Sequence, residues 1–482
     1  MANQDFVIVI LAAGKSTRFK SDRSKLIHLL AGRPLGEYVV SSALAAGPET
    51  VLMVVGHDAV SVRQTLERPG LKFVEQKQQR GTGHALMLAR PQLVQCKGHT
   101  VVVVVGDAPL LRTETLQELV AAHRKARAAA SVLTMRPESP HGYGRIVRSS
   151  GIGVRAIVEE KNCTPAQRRI REVSSGILCF SRDELLKHLD ELSDRNAQKE
   201  YLLTDLVKIL NQRRRKVVAF PVADAREVLG VNDRVDLARM ERILRVQKAE
   251  ALMREGVTIV DPQATYIDAP VEVGNDTVIE PGVSLLGHTR IGRGCTIRMH
   301  STLEDSILGD RVLVRPNTMV TGCEIGSDVI LGPFARLRDG AVIESEARIG
   351  NFVEVKKSRV GRGTRAWHLT YLGDATLGER VNVGAGTVTC NYDGEKKNPT
   401  IIEDGVFIGS GSMLVAPVKI GKGSYVAAGS AITEDVPAES LAVGRARQVN
   451  KEGWVRKQKE HKAQPKQEGH TRQNGDSPGR KS

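Results

Sequence analysis

Residues 271–297 read Val271-Glu272-Val273-Gly274-Asn275-Asp276-Thr277-Val278-Ile279-Glu280-Pro281-Gly282-Val283-Ser284-Leu285-Leu286-Gly287-His288-Thr289-Arg290-Ile291-Gly292-Arg293-Gly294-Cys295-Thr296-Ile297. An aliphatic–Gly pair closes at Gly274 and again at Gly292. It recurs at Gly309, Gly326, Gly332, Gly350, Gly361, Gly378, Gly384, Gly409 and Gly421. The intervals are 18, 17, 17, 6, 18, 11, 17, 6, 25 and 12 residues, each a multiple of six or one residue away from it. Leu286-Gly287 and Leu372-Gly373 fall out of register. A six-residue aliphatic repeat marks a β-helix, with one hexapeptide per face of a triangular coil and aliphatic side chains stacked inward. Residues 255–454 therefore read as a left-handed parallel β-helix. The 25-residue interval holds Thr389-Cys390-Asn391-Tyr392-Asp393-Gly394-Glu395-Lys396-Lys397, too polar for a coil and expected to protrude.

Upstream the pattern changes. Phe6–Leu11, Thr50–Val55 and Thr100–Val105 are continuous apolar runs, separated by helical patterns such as Val60–Leu66 and Gly83–Ala89. Runs buried on both faces and joined by helices predict a Rossmann-like, doubly wound α/β domain with a parallel sheet over residues 1–231. Leu237, Met240, Leu244 and Ala251 repeat at helical spacing among charged residues, predicting an amphipathic linker helix over 232–254 with Asn232 or Asp233 as N-cap. Residues 455–482 are rich in Lys, Gln, Gly and Pro and predict a disordered basic tail.

The chain has 482 residues, enough for two or three domains, and 41% hydrophobic content, enough for packed cores. Its formal charge of +15 is spread out rather than interleaved with aromatics, so phosphorylated small substrates are expected and nucleic acid is not. Cys96, Cys163, Cys179, Cys295, Cys323 and Cys390 form no Cys-x-x-Cys pair, which points to a reducing compartment. The Phe6–Ala13 run is too short to cross a membrane, and no basic stretch precedes it. A cytoplasmic protein is expected.

The first strand runs into Ala12-Ala13-Gly14-Lys15-Ser16-Thr17-Arg18-Phe19. A P-loop would need glycine at position 9, which is Val9. What remains is a small-residue loop whose amides can face a phosphate, with Arg18 and Lys25 supplying charge. Asp107 follows five valines and Gly106, at the carboxyl end of a strand where open α/β sheets bind ligands. A carboxylate beside phosphates suggests Mg²⁺; the plainer reading is a cap on the next helix. In the repeat region Arg338, Lys356, His368, Tyr371, Asn382, Asn391 and Tyr392 break the aliphatic pattern together. Positions about a coil apart touch, so Arg338, Lys356 and Tyr371 can line one edge and hold a phosphate. His368 beside them is a candidate general base. Metal ligation by His288, His300 and His368 is disfavoured by their spacing.

Leu11-Ala12-Ala13-Gly14-Lys15-Ser16-Thr17-Arg18, Lys25, Gln79-Arg80-Gly81-Thr82-Gly83-His84-Ala85, Gly106-Asp107-Ala108-Pro109-Leu110 and His141-Gly142-Tyr143-Gly144-Arg145-Ile146 resemble the sugar-nucleotidyltransferase family. Asn351-Phe352-Val353-Glu354-Val355-Lys356-Lys357, His368-Leu369-Thr370-Tyr371-Leu372-Gly373-Asp374, Gly384-Ala385-Gly386-Thr387 and Cys390-Asn391-Tyr392-Asp393-Gly394 extend the resemblance. Over residues 5–454 the chain is similar to its bacterial bifunctional N-acetylglucosamine-1-phosphate uridyltransferase/glucosamine-1-phosphate N-acetyltransferase members. The resemblance implies acetylation of glucosamine-1-phosphate by acetyl-CoA, then uridylyl transfer from UTP with release of pyrophosphate, in a homotrimer. It implies that Leu11, Ala12, Gly14, Gln76, Gly81 and Thr82 hold the nucleotide and that Arg18 and Lys25 contact phosphates. Asp107 and Asn232 would bind Mg²⁺, and Gly144, Glu159 and the residue at 174 the sugar. In the second half it implies His368 as base and Ala385 N–H as oxyanion donor. Arg338, Lys356, Tyr371 and Asn382 would hold the amino sugar phosphate. Asn391, Tyr392, Ser410, Ala428 and Arg445 would join Ala385 in lining the CoA site. The chain departs from the family at Ser16, Phe19, Ser24, Val105, Trp367 and, where an Asn usually contacts the sugar, Ser174. Those in the first half bear on affinity and sugar selectivity, and Trp367 bears on packing next to the proposed base. Intact Arg338, Lys356 and His368 argue against a monofunctional transferase, and intact Lys25, Asp107 and Asn232 against a non-catalytic regulator.

Overall fold

The computed structural model describes residues 5–196 and 198–463. In the first half the Phe6–Ala12 strand is central, pairing in parallel with Thr50–Val55 on one side and Thr100–Val105 on the other. The sheet runs in the spatial order 217–221, 130–135, 173–181, 100–105, 6–12, 50–55, 71–75. Chain order therefore reverses at the first strand. The valines and isoleucines of the three central strands are almost wholly buried, because helices cover both faces and leave no wet side. One expectation is corrected: the sheet is mixed. Val173–Ser181 runs antiparallel to both Thr100–Val105 and Ala130–Met135, with a bulge between Ser174 and Leu178. A strand buried on both faces has the same apolar pattern in either direction, so direction was not legible.

The linker helix spans Arg234–Arg254, and Asp233 caps it by accepting from the amides of Val235 and Asp236. Met240, Leu237 and Leu244 pack on the α/β core, whereas Ala249 and Leu252 join the core of the second half. Ala251, expected on the apolar stripe, is exposed. The stripe shifts by a residue or two along the helix because its two ends face different cores.

From residue 258 onward the chain coils through three parallel ladders of short strands. Ile259, Ile279, Ile297, Val314, Leu331, Ile349, Ala366, Val383, Ile408 and Val426 stand in one register row, all buried. Burying each large aliphatic contributes roughly 1.5–3 kcal/mol, and the rows repeat this on every face. The parallel coils fit the left-handed β-helix expected from the repeat. The polar insert between Cys390 and Thr400 leaves the coil, held by Asp393, which accepts from the amides of Glu395 and Lys396.

Trp454–Ala463 forms a helix with no buried residue, where the sequence predicted a structureless tail from 455. Its run of Arg, Lys, Gln and Glu has good helix propensity and lacks Gly or Pro. The rest of that tail, 464–482, lies outside the described residues. All six cysteines are free, and among the described residues no helix is long and apolar enough to cross a membrane.

Candidate functional sites

At the carboxyl ends of the central strands, where the chain order reverses, a cavity of about 450 Å³ opens. Leu11, Ala12, Gly14, Lys25, Gln76, Gly81, Thr82 and Asp107 line it, as do Ser24, Gln79 and Glu200. A Cβ built on Gly14 would meet nothing within 4 Å, so the loop backbone there faces open space. Gly81 has φ +104, and a Cβ on it would lie 2.6 Å from the Tyr201 carbonyl, so glycine is required there. Gln76 donates to the Gly81 carbonyl at 3.1 Å, and Thr82 Oγ1 accepts from the Leu203 amide at 3.0 Å. These bonds fix the two sides of the cleft.

Lys25 forms an ion pair with Asp107 and donates to the Val231 carbonyl at 2.8 Å. The Val231 amide in turn donates to the Asp107 carbonyl at 2.8 Å, which brings Asn232 beside the strand end. Asn232 Oδ1 accepts from Arg18 at 2.8 Å. Two oxygen donors thus stand together, each covered by a cation. Among the described residues no cluster of three His, Cys, Asp or Glu could hold a metal. Asp107 and Asn232 alone suit a hard cation that keeps its remaining ligands from phosphate and water.

Glu159 and Gly144 form a separate wall. A Cβ on Gly144 would meet Ile157 at 2.8 Å and the Glu159 carboxylate at 3.6 Å. Burial pushes the Glu159 carboxyl up, and Thr204 donates to it at 3.1 Å. Ser174 lies on the same wall, its amide bonded to the Gly144 carbonyl at 2.8 Å. Its hydroxyl turns back to accept from the Gly176 amide at 3.2 Å. Thr204 on this wall and Glu200 on the cavity were missed by the sequence reading, because nothing in their spacing sets them apart and only folding brings them there.

In the β-helix the register aligns Arg338 with Lys356 and Glu354 with Tyr371. Arg338 is held by Glu354 and Asp339 at 2.8 and 2.7 Å. Lys397, from the protruding loop, faces Lys356, and its ammonium pushes the Lys356 ammonium down. Three cations meet at one exposed edge, with Asp339 4.0 Å from Lys356, an arrangement that favours an anion. Lys397 and Glu354 were not singled out from sequence.

His368 is exposed and stands at a corner of the coil. The strand register, carried on to the corner, places Asn351, His368, Ala385, Ser410 and Ala428 in one row down that corner. Each precedes a residue with positive φ: Phe352, Leu369, Gly386, Gly411 and Gly429. Successive coils stack about 4.8 Å apart, so the row is a rail for a long, thin ligand. Arg338, Lys356 and Tyr371 lie on the face after this corner and Asn382 on the face before it, so one chain brings the first three together and sets the fourth apart. Asn391 leads into the protruding loop and donates to Asp374 at 2.7 Å, while Tyr392 projects, 61% exposed. Arg445 follows Gly444, whose amide donates to Ser430 Oγ at 3.2 Å beside Ala428. Trp367 packs under the Arg315 guanidinium, 5.8 Å from the ring centre.

The two halves are those of a nucleotidyl transferase joined to a hexapeptide-repeat acyltransferase. Residues 8–256 match the MobA-like NTP transferase domain, and 270–305, 322–357 and 399–434 match the bacterial transferase hexapeptide family. The chain is 49% identical to the bifunctional protein GlmU of Koribacter versatilis, over 95% of this chain and 98% of that one. It is 50% identical to the GlmU of Anaeromyxobacter dehalogenans, over 93% and 92% respectively. Against the GlmU of Halalkalibacterium halodurans the figures are 45%, 93% and 98%. The chain belongs to the bifunctional GlmU family.

Proposed function

We propose that this chain makes UDP-N-acetylglucosamine in two steps. Its β-helix acetylates glucosamine-1-phosphate with acetyl-CoA. Its α/β domain then joins the product to the uridylyl group of UTP and releases pyrophosphate. The observation that carries the reading is the union, in one chain, of the strand-end cavity paired by Lys25 and Asp107 with the corner row holding His368.

In the α/β domain the substrate sugar phosphate attacks the α-phosphorus of the nucleotide. Such transfer needs alignment and charge neutralisation more than covalent catalysis. Leu11, Ala12, Gln76, Gly81 and Thr82 hold the base and ribose, Gly14 exposes its amide to phosphate, and Arg18 and Lys25 neutralise charge. Gly144, Glu159 and Ser174 take the sugar. Asp107 and Asn232 would hold Mg²⁺, which neutralises phosphate charge when bound.

In the β-helix the cations Arg338 and Lys356, with Tyr371, hold the amino sugar phosphate. His368 takes a proton from its amine as the nitrogen attacks the thioester carbonyl. The Ala385 amide stabilises the oxyanion, and the CoA thiolate leaves. Asn391, Tyr392, Ser410, Ala428 and Arg445 line the CoA path. Because Asn382 and Tyr371 occupy different faces of one coil, a homotrimer in which neighbouring prisms share the site supplies both groups to one ligand. We place the protein in the cytoplasm, where its charged substrates reside.

A coupled assay with glucosamine-1-phosphate, acetyl-CoA, UTP and Mg²⁺ tests the whole: both CoA and pyrophosphate must be released. Pyrophosphate without CoA would leave a monofunctional transferase.

A further inference from the structure

The corner that carries His368 carries a neighbour with no role so far. Asn351 stands opposite His368 in the register, and its Oδ1 lies 2.6 Å from His368 Nδ1. An amide oxygen only accepts, so Nδ1 carries the ring proton and the lone pair stays on Nε2. We propose that Asn351 is a positioning residue for acetyl transfer, holding His368 in the tautomer and ring orientation in which Nε2 takes the amine proton. This rests on the acetyl-transfer reading of the corner.

The local backbone is built for the contact. A Cβ on Gly350 would sit 1.9 Å from the Trp367 carbonyl, so only glycine lets the two coils close at this point. Phe352 and Leu369, directly after the pair, have φ of 55° and 46°, which turns both strands at the same level. Thr370 Oγ1 donates to the His368 carbonyl at 2.8 Å, and the Gly386 amide donates to the Leu369 carbonyl at 2.9 Å. The His368 backbone is thus held from its own strand and from the following coil. The ring is then oriented from the preceding coil by Asn351. An asparagine serving only the coil would stack on another side-chain amide. Here the same row has Pro333 one coil earlier and Ala385 two coils later, so His368 is the polar partner that the row offers.

The charged and titratable groups around the base are Arg348, Glu354 and Lys356 on the preceding strand and Arg365 and Tyr371 on its own; residues 382–390 bring only the Cys390 thiol, which burial pushes up. None of them occupies the Nδ1 side in place of Asn351.

The test measures acetyl transfer by the full-length enzyme against pH for Asn351→Ala, Asn351→Asp and His368→Ala, with the denaturant unfolding midpoint of the β-helix as the folding control. Loss of such an orienting partner costs about 10–100-fold. Asn351→Ala is expected to lose that much kcat while KM for both substrates stays near wild type. Asn351→Asp restores an acceptor, so it should recover most of kcat. Its carboxylate favours the imidazolium, so the acid limb of the profile should move to higher pH. A wild-type kcat for Asn351→Ala, with His368→Ala inactive, overturns the proposal alone. So do equal losses in both Asn351 variants with an unmoved acid limb, the signature of a structural defect. An active His368→Ala overturns the base itself, and this proposal with it.

Discussion

The two sites of this chain are assembled by opposite means. In the α/β domain Leu11, Lys25, Gln76, Gly81 and Asp107 come from separate segments of the chain and converge because the central strands end at one edge, and the Val231–Asp107 hydrogen bond brings Asn232 alongside. In the β-helix Asn351, His368, Ala385, Ser410 and Ala428 meet because each lies one coil from the next. The first site depends on global topology and the second on local periodicity. A fault in one should leave the other working, and that separability can be attacked directly.

The largest effects should come from the reacting groups. His368→Ala is expected to lower acetyl transfer by about 10²–10⁴-fold while pyrophosphate release from supplied N-acetylglucosamine-1-phosphate persists. Asp107→Ala is expected to lower pyrophosphate release by roughly 10²–10³-fold and leave CoA release intact. Loss of both activities in either variant would break the comparison.

Next comes the coil itself. Leu337 is fully buried in an inward row, so Leu337→Ala should cost about 2–5 kcal/mol. Denaturant unfolding followed by both activities should show acetyl transfer lost at lower denaturant than uridylyl transfer. Coincident loss would mean that the two halves unfold as one unit through the linker helix.

A pH difference sharpens the contrast further. His123 is buried in the α/β domain beside Ser131 Oγ at 2.9 Å, and burial, with Arg124 nearby, pushes its pKa down to about 4 from 6.5. The unfolded chain therefore takes up a proton below pH 6.5 that the folded domain refuses. Stability from this group is present above 6.5 and is lost as pH falls towards 4. His123→Gln should flatten the acid decline of the α/β transition in thermal melts between pH 6.5 and 4 and leave that of the β-helix unchanged.

The smallest effect is expected at Ser174. Its hydroxyl is turned to the Gly176 amide, so Ser174→Asn should extend an amide from the Gly144–Glu159 wall and lower KM for the sugar phosphate by about 2–10-fold. An unchanged KM would place sugar recognition on Gly144 and Glu159 without residue 174.

Legibility followed the same division. The repeat placed Arg338 over Lys356 by counting alone, since spacing along a coil is distance in space. It did not disclose Lys397, which reaches the same edge from a loop whose path the hexapeptide period does not govern. In the α/β half the apolar runs marked the central strands, yet the antiparallel Val173–Ser181 strand and the Thr204–Glu159 contact were not readable. The helix at Trp454–Ala463 also ran against a composition that suggested disorder, because low apolar content forbids burial but not local helix.

By itself, then, the sequence determined the two-part architecture, the inward rows of the coil and the residue types that chemistry demands, because each of these is written as a short period or a contiguous motif. Only the tertiary structure decided which oxygens the Lys25 and Arg18 cations cover, which wall Ser174 joins, and that Asn351 orients His368. Those contacts depend on strand order, corner geometry and the close approach permitted at Gly350, none of which a period along the chain encodes.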